Sequence, residues 1–245
     1  MSNYENFIEK TLAEEYKHLK KFKDDENSVV ELFENKANGK KIVRINSQNR
    51  NDEIFRVLRG IRHKNLPAIF DVCACETHLC VLEEFIDGKT LETAMRTESI
   101  SINTAVDYAL DICNALSFLH SKRIIHRDVK PSNVMITPEN KAVLIDLQAA
   151  RFIIEKRAHD TCNLGTVGYA APEQFGISQS LPPTDIYALG VMLNELVLGT
   201  HPSIETPKGF IGKIIKKCTD TQIAKRYQTV DTLVADLKKH KKFHK

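Results

Sequence analysis

His126-Arg127-Asp128-Val129-Lys130-Pro131-Ser132-Asn133 is the stretch on which the reading of this 245-residue chain turns. Phosphoryl transfer from a nucleotide needs a carboxylate to orient the attacking hydroxyl. It also needs oxygen ligands for Mg2+ and positive charge near the moving group. Asp128 suits the first task, Asn133 the second and Lys130 the third. Asp128 and Asn133 lie five residues apart in one loop, so both can point into one pocket. Thirteen residues beyond Asn133, Asp146 ends the apolar run Ala142-Val143-Leu144-Ile145. A carboxylate at the end of a buried strand is well placed to bind Mg2+.

Outward from this loop the pattern is that of two parts. Residues 3–22 carry Phe7, Ile8, Leu12, Tyr16 and Leu19 at helix-like spacing, running into a first strand. Segments 28–34 and 41–46 read as strands around an Asn38-Gly39 turn. Residues 52–62 read as a helix, with Ile54, Val57, Leu58 and Ile61 on one side, and 68–75 and 78–86 as strands. After Gly88 the chain is mainly helical, at 102–121, 184–198, 209–218 and 229–242, with short strands at 133–136 and 142–146.

Composition excludes several classes. Hydrophobic residues make up 42% and charged residues 27%, too apolar for a disordered chain. Thirty-five Lys and Arg against 32 Asp and Glu leave a net charge of +3, which argues against a nucleic-acid binder. The excess is local: Lys238–Lys245 holds five Lys and no acid. That tail reads either as a solvated helix end or as a weak anchor to an acidic membrane or partner. No apolar run is long enough to span a membrane, and residues 1–10 lack a secretory pattern. Cys73, Cys75, Cys80, Cys113, Cys162 and Cys218 form no C-x-x-C pair. Cys73 and Cys75, one residue apart, have poor metal-ligand spacing, so reduced thiols in a cytoplasmic protein are expected.

The chain resembles the protein kinase superfamily, and within it the bacterial Hanks-type Ser/Thr kinases. HRDVKPSN carries the likeness, with Gly165-Thr166-Val167-Gly168-Tyr169-Ala170-Ala171-Pro172-Glu173, Asp185 to Gly190, and Arg226 in order behind it. The likeness covers roughly residues 15–237. It implies an α+β, two-lobed kinase-like fold, with a small β-rich N-lobe holding one helix and a larger, mainly α C-lobe. The expected boundaries are a helical extension at 1–14, an N-lobe at 15–86, a C-lobe at 87–237 and a basic tail at 238–245.

The resemblance implies ATP and Mg2+ as cofactors and protein Ser/Thr hydroxyls as acceptors, the chain itself among them. Asp128, Lys130 and Thr166 would be catalytic, and Asn133 and Asp146 would hold metal. The backbone of Glu84 and Ile86 would meet adenine, with Glu83 at the gatekeeper position. Arg226 would pair with Glu173, and Asp185 would open the anchoring helix. His126 and Arg127 complete the loop, and Arg127 would bind a phosphorylated activation segment. Thr161 reads either as the site of that phosphate or as an ordinary loop threonine.

The small lobe departs from the pattern. The phosphate-covering loop falls at Lys23 to Ser28 and has no glycine; a simple β-turn with Asp24, Asp25 and Glu26 facing solvent is expected. The phosphate-gripping lysine is replaced by Ile45 in a gap-free count, or by Arg44 after a one-residue deletion. Its helix partner is Ile54 or Glu53. Asp146-Leu147-Gln148 stands where Asp-Phe-Gly is usual. Little room remains between Gly199 and residue 209 for a substrate-docking helix. The implied activity is a protein Ser/Thr kinase. The runner-up is a pseudokinase serving as a nucleotide-binding or allosteric scaffold.

Overall fold

The computed structural model describes residues 3–49, 52–75, 77–153, 166–175 and 179–243. They form two compact units, Met1–Ile86 and Asp87–Lys245.

The first unit opens with helix α1 (Asn3–Glu15) and continues through strands β1 (Tyr16–Asp24), β2 (Ser28–Asn35) and β3 (Lys41–Ser47). Helix α2 (Glu53–Leu58) follows, then strands β4 (Ile69–Ala74) and β5 (Leu79–Glu84). The strands make one antiparallel sheet in the order β1-β2-β3-β5-β4. The helical spacing read over 3–22 stops at Glu15, because from Tyr16 onward the backbone pairs with β2. Lys36 closes the end of α1 by donating its ammonium to the Ala13 and Glu14 carbonyls at 3.0 and 2.8 Å. A cation there satisfies two orphan acceptors and faces the negative pole of the helix.

Ile8 and Leu12, one helical turn apart, are buried with Phe33, Ile42, Cys73, Cys75 and Cys80. Thus α1 is built into the core of the unit and is not an appended extension. The β1–β2 connection is a plain turn. Asp25 Oδ1 accepts the N–H groups of Asn27 and Ser28 at 2.9 and 2.8 Å, which holds its carboxyl below the usual range. Helix α2 is shorter than the 52–62 read from spacing. Arg59 turns to extended backbone and bridges Ile69, and Gly60 takes left-handed backbone, with a φ of +75°. Val57 is consequently exposed and Ile61 lies outside the helix.

The second unit begins with strand β6 (Lys89–Thr90) and helices α3 (Leu91–Thr97) and α4 (Ile102–Ser121). Strands β7 (Ile124–Ile125), β8 (Val134–Ile136), β9 (Ala142–Leu144) and β10 (Arg151–Phe152) follow. Helices α5 (Pro182–Leu198), α6 (Gly209–Cys218) and α7 (Val230–Phe243) complete it. Helix α3 went unread in the sequence; its start is marked by Thr90, whose hydroxyl accepts the Thr93 N–H. Ser101 caps α4 in the same way through Thr104. Helix α5 is buried on most sides, and α6 packs against it at Gly190. A Cβ at Gly190 would lie 2.4 Å from the Cβ of Cys218, so only glycine allows this approach.

No helix intervenes between Leu198 and Gly209. Asn194 instead donates to the Thr200 and Glu205 carbonyls, fixing that stretch as a loop. The 237/238 boundary read from charge falls inside α7. His240 is buried there, and Lys241 pairs with Asp107. The basic run to Lys242 is therefore the last turns of a packed helix.

Leu12→Ala removes the contact that seats α1 on the sheet. It should lower stability by about 2–5 kcal/mol, the usual cost of such a truncation in a core. Urea unfolding of wild type and variant measures this.

Candidate active site

The 126–133 loop leaves β7 and is held by one carboxylate from the first turn of α5. Asp185 is fully buried. Its Oδ2 accepts the His126 N–H at 2.9 Å and its Oδ1 the Arg127 N–H at 2.8 Å. His120 Nε2 lies 2.8 Å from Oδ2. Burial pushes the Asp185 carboxyl up, but His120, His126 and the backbone donors outweigh it and hold the group below its ordinary value. Arg127 takes a φ of +71°, a left-handed conformation rare outside glycine. Its N–H is bound by Asp185, and its carbonyl accepts from Gln174 Nε2 at 2.8 Å. Gln174 Oε1 accepts the Ala171 N–H at 2.9 Å, tying the loop to the 166–175 segment. The sequence reading missed Gln174. Its position just after the Ala-Pro-Glu run was the only signal.

Held in this way, the loop brings together the four residues read as catalytic machinery. Asp128 Oδ1 accepts the Thr166 hydroxyl at 2.7 Å. Its Oδ2 accepts Asn133 Nδ2 at 2.9 Å and lies 2.8 Å from Lys130 Nζ. Lys130 also donates to Thr166 Oγ1 at 2.7 Å. Burial pushes the Asp128 carboxyl up; the bonds from Lys130 and Thr166 overcome this and keep it below the usual range. A carboxylate can accept about four hydrogen bonds. These three partners leave room for one more donor, such as an incoming hydroxyl.

Asn133 also donates to the Asp128 backbone carbonyl at 2.9 Å, which leaves its own amide oxygen to face a cation. The Ile145 N–H donates to the Asn133 carbonyl at 2.9 Å, joining this loop to the chain entering Asp146. Asp146 has a φ of +66°, and its Oδ1 accepts the Gln148 N–H at 3.1 Å. Leu147 is buried, filling its apolar slot. The Asn133 amide oxygen and the Asp146 carboxylate are hard donors of the kind Mg2+ takes.

The first unit treats its candidates differently. Arg44 donates to both Glu9 carboxylate oxygens at 2.7 and 2.9 Å and to Glu31 Oε2 at 2.6 Å, and lies over the Phe33 ring. Burial pulls its guanidinium down in pKa, yet Glu31 and Glu9 more than offset this. Arg44 thus shares the α1 side of the sheet with Phe33 and Ile42, and Val43 and Ile45 take the opposite side. Glu53 is an exposed first residue of α2, and it is not brought to Arg44. The Glu84 N–H donates to the Ala68 carbonyl at 2.9 Å, and Ile86 is half-buried at the end of the unit. Glu83 is buried beside Val43 in the β3–β5 ladder.

A family model described as the protein kinase domain matches residues 28–242. The chain belongs to that family. The kinase domain is 32% identical over 152 residues to serine/threonine-protein kinase PknB of Mycobacterium leprae, covering 59% of this chain and 24% of that protein. It is 28% identical over 229 residues to probable serine/threonine-protein kinase PknB of Lactococcus lactis, covering 80% and 36%. A probable serine/threonine-protein kinase of Clostridium acetobutylicum is 29% identical over 205 residues, covering 72% and 31%. The matched region thus spans between about a quarter and a third of these relatives' lengths.

The kinase domain anchors the end of its 166–175 segment to the α5 region. Tyr169 donates to Glu195, and His201 Nε2 lies 2.9 Å from the Gly168 carbonyl. Glu173 and Arg226 form a two-pronged pair at 2.8 and 2.9 Å, with side chains 3% and 0% exposed. Thr184 donates to the same carboxylate, and the Pro183 and Asp220 carbonyls accept from Arg226. Thr161 and Gly165 lie outside the described residues.

Two outcomes are expected. Arg226→Met leaves a buried carboxylate unpaired and should lower stability by about 3–5 kcal/mol, with part recovered when Glu173→Gln is added. Urea unfolding of the single and double variants checks this. The depressed Asp185 carboxyl adds stability that is fully present above the ordinary carboxylate pKa of about 3.9. That stability is lost as pH falls through its lower folded value. Asp185→Asn should therefore reduce stability at neutral pH and flatten the acid limb of a stability-against-pH curve.

Proposed function

We propose that this kinase domain transfers the γ-phosphoryl group of ATP, with Mg2+, to Ser or Thr hydroxyls of proteins, its own chain included. The observation that carries this reading is the Asp128 carboxylate, ionised and held by Lys130, Asn133 and Thr166. Asp128 orients the acceptor hydroxyl and receives its proton, and Lys130 places positive charge beside the transferred group. Thr166 aligns both through its hydroxyl. Asn133 and Asp146 are the cation's holders, and their oxygen donors fit Mg2+. When bound, the cation's contribution is to neutralise charge on the phosphate oxygens. Acceptor proteins are the proposed partners. The relatives named as Ser/Thr kinases agree with the choice of hydroxyl.

Five described cysteines are free and buried, in keeping with a reducing, cytoplasmic setting. Among the described residues no helix is long and apolar enough to cross a membrane.

One observation favours the pseudokinase reading. Arg44 is bound by Glu9 and Glu31, and the glycine-free 23–28 turn offers no close backbone approach to phosphate. Incubation with labelled ATP and Mg2+, followed by mapping of incorporated phosphate, separates the two readings. Incorporation into Ser or Thr, lost by about 10²–10⁴-fold in Asp128→Asn with nucleotide affinity retained, supports the kinase. Nucleotide binding without incorporation, on itself or on a basic protein, supports the scaffold. In the same assay Arg44→Ala should leave ATP affinity unchanged. A marked loss of affinity would make Arg44 the phosphate grip after all.

A further inference from the structure

The first unit gathers a second set of ligating side chains, remote in sequence from the 126–146 machinery. Cys75 follows β4, His78 precedes β5, and the Cys75 N–H donates to the His78 carbonyl at 2.8 Å. Glu5 reaches the same place from the first turn of α1. One ligand atom from each of Glu5, Cys75 and His78 lies within 4.8 Å of the others. Glu5 and Cys75 are buried and His78 is partly so. The Cys73 sulfur is 3.7 Å from that of Cys75. We propose that Glu5, Cys75 and His78 form a Zn2+ site that fastens α1 to the β4–β5 turn.

Three physical points support the choice of metal. The first is the donor set. One sulfur, one imidazole and one carboxylate are ligands zinc takes, with water able to fill a fourth position. Mg2+ and Ca2+ prefer sites made wholly of oxygen. The second is spacing. Ligand atoms on one tetrahedral zinc stand within about 4 Å of each other, and the three donors here lie within 4.8 Å of one another. The third is the His78–Glu5 separation. At 3.9 Å the ring nitrogen and the carboxylate are spaced much as two ligands of one metal are, with the sulfur beside them.

The sequence concealed this site, because one ligand follows β4, one precedes β5 and the third comes from a helix far back in the chain. Binding releases the thiol proton of Cys75 to solvent, and the thiolate and the Glu5 carboxylate offset the metal's charge. Because the metal binds only the folded arrangement, it adds to the stability of the fold.

The test uses the full chain, purified with a reductant that does not chelate, stripped with a chelator and titrated with Zn2+. One equivalent should bind, and the thermal midpoint should rise. Co2+ in its place should give thiolate-to-metal charge-transfer absorption. Cys75→Ser and His78→Ala should each lose the equivalent and the rise in midpoint. Cys162→Ser should retain both. Circular dichroism confirms that each variant is folded. Should Cys75→Ser fail to fold, His78→Ala, whose side chain is partly exposed, and the Co2+ spectrum decide the matter. The proposal is overturned by the absence of a bound equivalent. It is also overturned by a Co2+ spectrum without thiolate character, or by binding that survives in His78→Ala.

Discussion

A single buried carboxylate sets the geometry on which the candidate active site depends. Asp185 sits in the first turn of α5, a helix enclosed on most sides, so its position is as rigid as the core. It accepts two successive backbone N–H groups, from His126 and Arg127. Two consecutive donors cannot point the same way in extended backbone, where successive groups alternate. Arg127 accordingly adopts left-handed backbone, and the chain turns sharply before Asp128. The strain is affordable only because the carboxylate is ionised, buried and otherwise paired by His120. The direction of the Asp128 side chain follows from a charge that itself never meets a substrate.

The same logic separates the two units. In the second, charges oppose one another across short distances and each is held by neighbours on a different element, as with Glu173 and Arg226. In the first, the cation read as a phosphate grip obeys the two-residue period of a strand. Arg44 shares its face with Phe33 and Ile42, which are covered by α1, and two glutamates are waiting there. An arginine on that face completes a partly buried charge cluster. Ile45, one residue on, takes the opposite face as an aliphatic side chain. The one-residue choice left open in the sequence is therefore a choice of face.

Much of the second unit was legible in the sequence because its signals are local. HRDVKPSN names three members of one hydrogen-bonded cluster, and α4 carries its apolar stripe and Ser101 cap within the helix. What was not legible depended on partners distant in the chain. Helix α2 ends early because Arg59 bridges Ile69, which its own periodicity does not show. The 1–14 segment looked like an appendage because Ile8 and Leu12 find their partners in β2, β3, β4 and β5. Lys238 to Lys242 read as a helix end from periodicity, and α7 bears this out; what charge did not show was the burial of His240 among them. Gln174 was missed because a single glutamine bridging two backbone segments leaves no pattern.

The stretch between α5 and α6 shows how a shortened chain keeps its order without a helix. Asn194, wholly buried in α5, donates to two carbonyls of the 200–205 loop, and His201 in turn meets the Gly168 carbonyl. The loop is thus pinned from inside and helps pin the 166–175 segment from outside. Val167 and Ile204 remain on this surface at 88% and 77% exposure. Apolar side chains so open contribute nothing to the core, and two alone do not make a binding patch. What the arrangement does fix is Thr166, one residue before Val167. Its hydroxyl can bridge Lys130 and Asp128 only while the backbone after it is held. Tyr169, His201 and Gln174 hold it from three directions, so the catalytic contact rests on loop anchors instead of a further helix.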